Sequence, residues 1–304
     1  MKERIELAVL GGDERQIAMA RTLAEYGYGV RVWGLGHCEE RIGDAMSCEA
    51  WQTAIEGADA VVLPLPASAD GVRVHCPLQA GDVFLRVTTL LDAMSDGLLL
   101  GGRLTDAIRS IAEQKRINVI DYFDSEVLQL KNALPTAEGA LAIAMKELPV
   151  TLDGVKAAVI GYGRIGSLLS EKLHALGADV TVYARRREQL ALARLHHHKT
   201  KALCCHDGRT AIDLEGCQFR VIFNTVPQWI LTREVLTHLP KNCVLIDLAS
   251  VPGGIDHGAA REMGLCSVWG TSLPGKCAPE SAGIILAETV SELLSDLGFG
   301  RKGI

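Results

Sequence analysis

The chain has 304 residues, roughly two domains' worth, with 48% hydrophobic and 22% charged residues, far from the low-hydrophobicity, high-charge signature of disorder. Its net charge is −6 and no basic run is longer than the three residues Arg185-Arg186-Arg187, which excludes the broad basic surface a nucleic-acid partner needs. The charged start Met1-Lys2-Glu3-Arg4 leads straight into a short apolar segment and no apolar stretch reaches about 18 residues, so no signal peptide, no membrane span and a cytoplasmic location are expected. Nine cysteines, an odd number without a C-x-x-C pair, point to reduced thiols rather than a disulfide framework or zinc ribbon.

In chain order, short apolar runs alternate with amphipathic segments, the pattern of parallel sheets covered on both faces. Strands are predicted over 5–11, 29–34, 59–65, 82–87, 97–101 and 118–122, and again over 155–160, 179–184, 201–206, 220–225, 243–249 and 266–270. This spacing predicts an α/β protein of two tandem Rossmann-like, doubly wound parallel-sheet domains bridged by long helices. The first is placed at 1–133 as the substrate or partner domain, and the second at 151–278 as the dinucleotide domain. Between them, Pro135-Thr136-Ala137-Glu138 is expected to open a hinge helix at 134–150, because proline and a carboxylate suit a first helical turn. A last helix at 279–298 is expected to pack back on the first domain, leaving a cleft between the two.

The first unit has a glycine turn, Gly11-Gly12-Asp13-Glu14-Arg15, without the dinucleotide fingerprint. Asp13 and Glu14 put negative charge at a helix start and would repel a pyrophosphate, whereas Arg15 either reaches an anionic substrate or is an ordinary surface arginine. The second unit carries the fingerprint itself: the run 155–160 leads into Gly161-Tyr162-Gly163-Arg164-Ile165-Gly166 and then a helix. Gly161 makes the tight turn, Gly163 lets the backbone approach the pyrophosphate, and Gly166 lets helix and strand pack closely. The second strand of that unit ends in Ala184 and Arg185-Arg186-Arg187, where a NAD site usually has an acidic residue for the ribose 2′-hydroxyl. Arg185 and Arg186 can bind a 2′-phosphate instead, so NADP is favoured over NAD, the other reading of the run being a solvated cationic helix start. Thr225, Val226 and Pro227 after one strand, with Asp247 and Ala249 after the next, are expected to flank the nicotinamide.

His196-His197-His198 with Cys204-Cys205-His206 suggests a metal cluster, but neighbours on a helix or strand point apart, and no metal is expected.

With these motifs placed, the sequence resembles the dipicolinate synthase family, in its A-type subunit, nearly end to end. The residues carrying the likeness are Gly11-Gly12-Asp13 with Arg15, the stretch from Asn132 to Ala140 (N-A-L-P-T-A-E-G-A), the Gly161–Gly166 turn, Asp247-Leu248-Ala249-Ser250, Pro252-Gly253-Gly254, and Leu273-Pro274-Gly275-Lys276-Cys277-Ala278-Pro279. The resemblance implies a sporulation enzyme working with a flavoprotein-like partner, the B-type subunit of dipicolinate synthase, which together oxidise a dihydrodipicolinate-type ring to dipicolinate by loss of a hydride and a proton. A homo-oligomer is expected. The dicarboxylate needs anion sites, for which Arg15, Thr136, the Gly253-Gly254 amides and Lys276 are candidates. Glu138 is the candidate proton-handling group, grouped with Thr136 and Arg15 as catalytic. Desolvation in a closed cleft would raise its pKa, although a place in a first helical turn suits capping equally well and would lower it. Two other readings stand beside this one. A D-2-hydroxyacid dehydrogenase shares the plan, but no arginine follows Asp247 and Leu273-Pro274-Gly275 stands where its histidine segment would come. A non-catalytic NADP-binding subunit or sensor is the other.

Overall fold

The computed structural model describes residues 4–79, 84–94, 97–206 and 209–299. Its described residues fall into two compact units, one reaching to Asn132 and resuming at Ala278, the other running from Ala133 to Cys277.

In the first unit the order is β1 (Glu6–Leu10), α1 (Glu14–Glu25), β2 (Gly29–Trp33), β3 (Met46–Ser47), α2 (Trp51–Ile55), β4 (Ala60–Val62), α3 (Val87–Ala93), β5 (Leu98–Gly101), α4 (Asp106–Gln114) and β6 (Asn118–Asp121). The strands form one sheet in the order β3-β2-β1-β4-β5-β6, with every pairing parallel. Its strands read as near-continuous apolar runs because helices cover both faces: Leu7 and Val9 point into one core, Ala8 and Leu10 into the other.

Helix α5 (Glu126–Glu147) carries the chain from one unit into the other. The second unit continues with β7 (Lys156–Ile160), α6 (Arg164–Ala175), β8 (Asp179–Ala184), α7 (Arg187–Leu195), β9 (Lys199–Ala202), β10 (Cys204–His206), β11 (Arg209–Ala211), β12 (Val221–Asn224), α8 (Arg233–Leu236), β13 (Val244–Asp247), α9 (His257–Glu262), β14 (Cys266–Trp269) and α10 (Leu273–Cys277). Its parallel sheet has the order β14-β13-β12-β7-β8-β9, which repeats the topology of the first. The chain then returns to the first unit as α11 (Pro279–Leu294). Helices α1 and α11 approach closely because position 283 is glycine: a Cβ there would lie 2.4 Å from the Arg15 carbonyl oxygen.

In both sheets the central strands, β1 with β4 and β7 with β12, are followed by connections that leave toward opposite sides. That is the topological switch point, beyond whose carboxyl ends ligands bind in open α/β sheets.

The structure corrects several expectations. The helix at the unit boundary does not open at Pro135; it begins at Glu126 and holds Pro135 in its interior. Its upstream turns are built from good helix formers and begin with the Ser125 hydroxyl accepting from the Leu128 N–H at 3.3 Å. Buried Leu128 in the first core and Ala137, Ala140, Leu141 and Ala144 in the second offset the roughly 3 kcal/mol penalty of an interior proline. The strand expected over 82–87 is not found among the described residues: 82 and 83 lie outside them, Arg86 makes one isolated bridge with Arg73, and Val87 opens α3. The sixth strand is instead the two-residue β3, too short to show a period. The strand expected at 201–206 divides, β9 joining the sheet and β10 pairing antiparallel with β11 as a separate hairpin.

Candidate functional site

The turn after β7 gives each glycine a separate physical role. Gly161 has φ +94°, and a Cβ there would lie 2.3 Å from Thr225 Oγ1, so the position admits only glycine at this approach of strand and loop. A Cβ on Gly166 would sit 2.2 Å from the Gly161 carbonyl oxygen, which makes it the point of closest helix-to-strand packing. Gly163 is different. It is exposed, and a Cβ on it would meet no protein atom within 4 Å. It is also the N-cap of α6 and brings no capping side chain, so the helix start presents backbone N–H groups and the positive end of its dipole beside open space. These residues fit a dinucleotide pyrophosphate: the turn is open at Gly163, where the ligand would lie, and tightly packed at Gly161 and Gly166.

Tyr162, expected among the cofactor residues, is buried with its hydroxyl 3.4 Å from His196 Nδ1, and its carbonyl accepts from Gln189 Nε2 at 2.9 Å. Its side chain thus belongs to the packing under the turn. Arg164 is exposed and Ile165 packs partly into the core.

Beyond β8, Ala184 is buried while Arg185, Arg186 and Arg187 are exposed, with Arg186 as N-cap and Arg187 as first residue of α7. Among the described residues neither Arg185 nor Arg186 has an ion-pair partner, so both guanidinium groups are unengaged at the end of the strand where a ribose-binding residue normally stands.

The loops after β12 and β13 are held by a buried polar pair. Asn224 and Asp247 are both fully buried, and Asn224 Nδ2 donates to Asp247 Oδ1 at 2.8 Å and to the Val226 carbonyl at 2.9 Å. Asp247 Oδ1 also accepts from the Ala249 N–H at 3.1 Å, and Oδ2 accepts from Gly254 and Ile255 N–H at 2.8 and 3.2 Å. With four donors converging on it, Asp247 positions the 225–227 and 249–255 loops from behind rather than facing a ligand. Gly253 and Gly254 are correspondingly not an anion cradle: the Gly253 N–H donates to the Ser250 carbonyl at 2.8 Å and the Gly254 N–H to Asp247. Their glycine identity comes from packing, since a Cβ on Gly254 would fall 2.3 Å from Asn224 Nδ2. His257 stacks on Trp269 at 5.4 Å between ring centroids, with Nε2 3.7 Å from Asp247 Oδ2. Sequence reasoning missed the Asn224–Asp247 pair, although a polar residue closing each of two apolar strand runs was the available signal.

Glu138 does not stand in a first helical turn, because α5 begins twelve residues earlier at Glu126. Its side chain is 54% exposed and pairs with Lys172 at 3.0 Å. The capping argument therefore does not hold for it, and within this unit its carboxylate is exposed. Thr136 is buried and engaged within the protein, while Lys276 is exposed with one long contact, 3.3 Å to Thr271 Oγ1.

The corresponding turn of the first unit carries charge instead of space. Asp13 caps α1, accepting from the Arg15 N–H at 3.1 Å, while Gln16 Oε1 accepts from the Asp13 N–H at 2.9 Å. Arg15 is only 4% exposed; Nε and Nη2 grip the two Asp13 oxygens at 2.9 and 2.8 Å, and Nη2 also donates to the Leu65 carbonyl. Burial works to raise the Asp13 carboxyl, but the hydrogen bonds and charge of Arg15 outweigh it and hold the group below its ordinary value. Arg15 Nη1 has no protein partner among the described residues.

The histidines at the end of α7 pack against α6. The His198 ring lies edge-on to His174 at 5.6 Å, with Tyr162 at 6.1 Å and His196 at 6.5 Å, and Glu171 Oε1 sits 2.8 Å from His196 Nδ1. Among the described residues no group of three or more ligating side chains is set to hold a metal ion; the Cys205 and His206 side chains lie outside those described. Nor is any helix among them long and apolar enough to cross a membrane.

Comparison with known proteins gives one direction. Residues 6–123 match the family model for the N-terminal domain of the dipicolinate synthase A-type subunit. The chain is 28% identical over 299 residues to the dipicolinate synthase A-type subunit of Bacillus subtilis (strain 168), covering 96% of this chain and 97% of that protein. The crystal structure of the B. subtilis protein superposes with a TM-score of 0.83 over 98% of each chain. That of its counterpart from Bacillus halodurans gives 0.80 at 25% identity, over 96% of this chain and 98% of that one. A transhydrogenase from Sinorhizobium meliloti, at 15% identity and a TM-score of 0.68, covering 96% of this chain and 94% of its own, shares the fold. The resemblance read from the sequence therefore stands: the first unit matches the N-terminal domain of the dipicolinate synthase A-type subunit, and the chain is similar to that subunit along nearly its whole length.

Proposed function

We propose that the chain is an NADP-dependent oxidoreductase that, with a B-type partner subunit, oxidises a dihydrodipicolinate-type cyclic dicarboxylate to dipicolinate. The observation that carries the cofactor reading is the open position at Gly163, set at the uncapped start of α6 between two glycines that are sterically obligatory. Gly161, Gly163 and Gly166 would hold the pyrophosphate, and the unengaged Arg185 and Arg186 would hold the 2′-phosphate. When bound, NADP supplies the hydride acceptor. The substrate class comes from the likeness to the dipicolinate synthase of B. subtilis.

The protein's own residues divide the remaining work. Arg15, fixed by Asp13 and the Leu65 carbonyl, offers Nη1 to one ring carboxylate. Asn224 and Asp247 hold the 225–227 loop against β7, where Thr225 Oγ1 donates to the Ile160 carbonyl at 2.9 Å. This orients the turn that would face the nicotinamide.

Purified protein, alone and with the B-type partner, is to be mixed with NADP or NAD and a dihydropyridine-2,6-dicarboxylate, and nicotinamide reduction followed by absorbance. The reading expects reduction of NADP in preference to NAD, with dipicolinate as product. NADP binding without turnover under either condition would leave only the non-catalytic, cofactor-binding reading.

A further inference from the structure

The turn between β7 and α6 rests on a cluster of histidines that the cofactor reading leaves unused. Tyr162, the residue between Gly161 and Gly163, is 4% exposed and turns its side chain into the core of the second unit. Its hydroxyl lies 3.4 Å from His196 Nδ1, and its ring is edge-on to His198 at 6.1 Å. Both histidines sit at the end of α7, the helix that Arg186 caps at its other end. One residue thus joins the cluster to the glycine turn, and one helix joins it to the arginines.

The end of α7 explains why His198 lies inside. His196 is the C-cap, and His197 takes a left-handed φ of +63°. The His197 N–H donates to the Arg194 carbonyl at 3.0 Å and the His198 N–H to the Ala193 carbonyl at 3.0 Å, the paired bonds of a Schellman end. This turns the chain so that His198 is 5% exposed, with its ring 5.6 Å from that of His174 on α6. Neither of its ring nitrogens is hydrogen-bonded among the described residues. The titratable and charged groups that face it are His174 and Glu171 from α6, His196 and His197 from the end of α7, and Tyr162 from the turn. Glu171, the carboxylate of this set, is already engaged by His196 at 2.8 Å. A proton on His198 would place a buried cation among imidazoles, with no acceptor for its N–H groups. Burial, reinforced by His174 and His196, accordingly lowers its pKa from the ordinary 6.5.

We infer that this cluster makes dinucleotide binding pH-dependent: proton uptake at His198 and NADP binding at the turn oppose one another. The inference rests on the cofactor reading of the Gly161–Gly166 turn. A charged His198 is accommodated only when its ring leaves the core for water, which opens the end of α7 and removes the edge contact beneath Tyr162. The Tyr162 backbone is held by α7 as well, its carbonyl accepting from Gln189 Nε2 at 2.9 Å. Loosening α7 therefore disturbs the pyrophosphate turn and the placement of Arg185 and Arg186 together. The neutral cluster is the binding form, so by linkage affinity is full above pH 6.5 and falls as pH drops through the lowered value of the free protein. Bound dinucleotide, by the same coupling, pushes that value lower still.

The test titrates the full chain with NADP by calorimetry from about pH 7.5 down to about pH 5, over the range in which circular dichroism is unchanged. It compares the unsubstituted protein with His198→Phe, which keeps a ring and loses the titrating nitrogens. One linked proton changes affinity by at most ~10-fold per pH unit, so a loss of ~10-fold is expected in the unsubstituted protein and a clearly smaller one in the variant. The 2′-phosphate of NADP itself titrates at about pH 6 but contributes equally to both proteins, so the difference between them is what is read. Equal pH slopes overturn the inference and leave the cofactor reading intact. Absence of NADP binding at every pH overturns the reading, and the inference with it. A second measurement does not depend on the variant folding: the His198 ring resonances of the unsubstituted protein are followed by NMR on acidification, with and without saturating NADP. The ring should titrate at lower pH when NADP is bound. The same midpoint in both states contradicts the inference, however tightly the dinucleotide binds.

Discussion

The two units have the same strand order and the same glycine turn after the first strand, yet the turns are built for opposite chemistry. After β7 the turn is uncharged, with open space at Gly163 and an uncapped helix start behind it. After β1 the same place is filled: Asp13 caps α1, Gln16 closes the capping box, and Arg15 is drawn inward by two bonds to Asp13. A dinucleotide phosphate needs free N–H donors, and in the first unit those donors already have a carboxylate. What is presented there instead is a buried guanidinium held on a carboxylate, with Nη1 left over. Both turns lie at the switch point of their sheets, and the two or three residues following each strand set which groups each turn presents.

That comparison can be broken at its supports. Asp247 is fully buried with four donors converging on it, so Asp247→Ala should destabilise the second unit by about 3–5 kcal/mol. Asp13→Asn, which keeps a capping oxygen and loses only the charge opposite Arg15, should destabilise the first by about 1–3 kcal/mol. Calorimetric unfolding of the two variants checks the ranking, and equal losses would mean that the carboxylates play the same part.

Glycine replacements sharpen the contrast further. Gly11→Val places a side chain against Cys76 and the His75 carbonyl at a left-handed φ, and should cost roughly 3 kcal/mol of stability. Gly163→Val faces open space and should cost about 1 kcal/mol at most, the loss of a glycine at the N-cap of α6.

These contrasts differ in how far the sequence reveals them. The three roles in the Gly161–Gly166 turn are legible because each depends on atoms within a few residues or on the adjacent strand, which the motif itself specifies. The start of α5 is not legible in the same way: proline's preference for a first turn is local, whereas the buried face from Leu128 to Ala144 that carries the helix through Pro135 is set by tertiary packing. β3 has two residues and no periodicity to read. Glu138 suits the part of a base only if it is buried, and the structure pairs it with Lys172 at an exposed position instead. The run 196–198 reads as three like residues; that His198 turns inward against His174 depends on the left-handed turn at His197, which no motif specifies.

A smaller effect concerns cofactor choice. Arg185→Ala and Arg186→Ala should each weaken NADP binding by about 1.5–3 kcal/mol, with NAD affinity nearly unchanged, as charge-assisted bonds to the 2′-phosphate are lost. Equal losses for both cofactors in titration calorimetry would remove the 2′-phosphate assignment.

The smallest effect is on pH dependence and again separates the units. His198 is 5% exposed with neither ring nitrogen hydrogen-bonded among the described residues, and burial, reinforced by His174 and His196, lowers its pKa from the ordinary 6.5. A histidine whose folded pKa is depressed contributes stability that is present above pH 6.5 and is lost as pH falls through the folded value. The second unit should therefore melt progressively lower on acidification from pH 6.5, and His198→Leu should flatten that slope.

On the proposed reading the turn after β7 binds the dinucleotide and the turn after β1 does not. Titration calorimetry of the full chain with NADP tests it most directly, run on the unsubstituted protein and on Gly163→Val. One dinucleotide per chain is predicted, with binding weakened at least ~100-fold in Gly163→Val, whose fold is intact by circular dichroism. Two dinucleotides per chain, or a folded Gly163→Val that binds NADP with unchanged affinity, would contradict it.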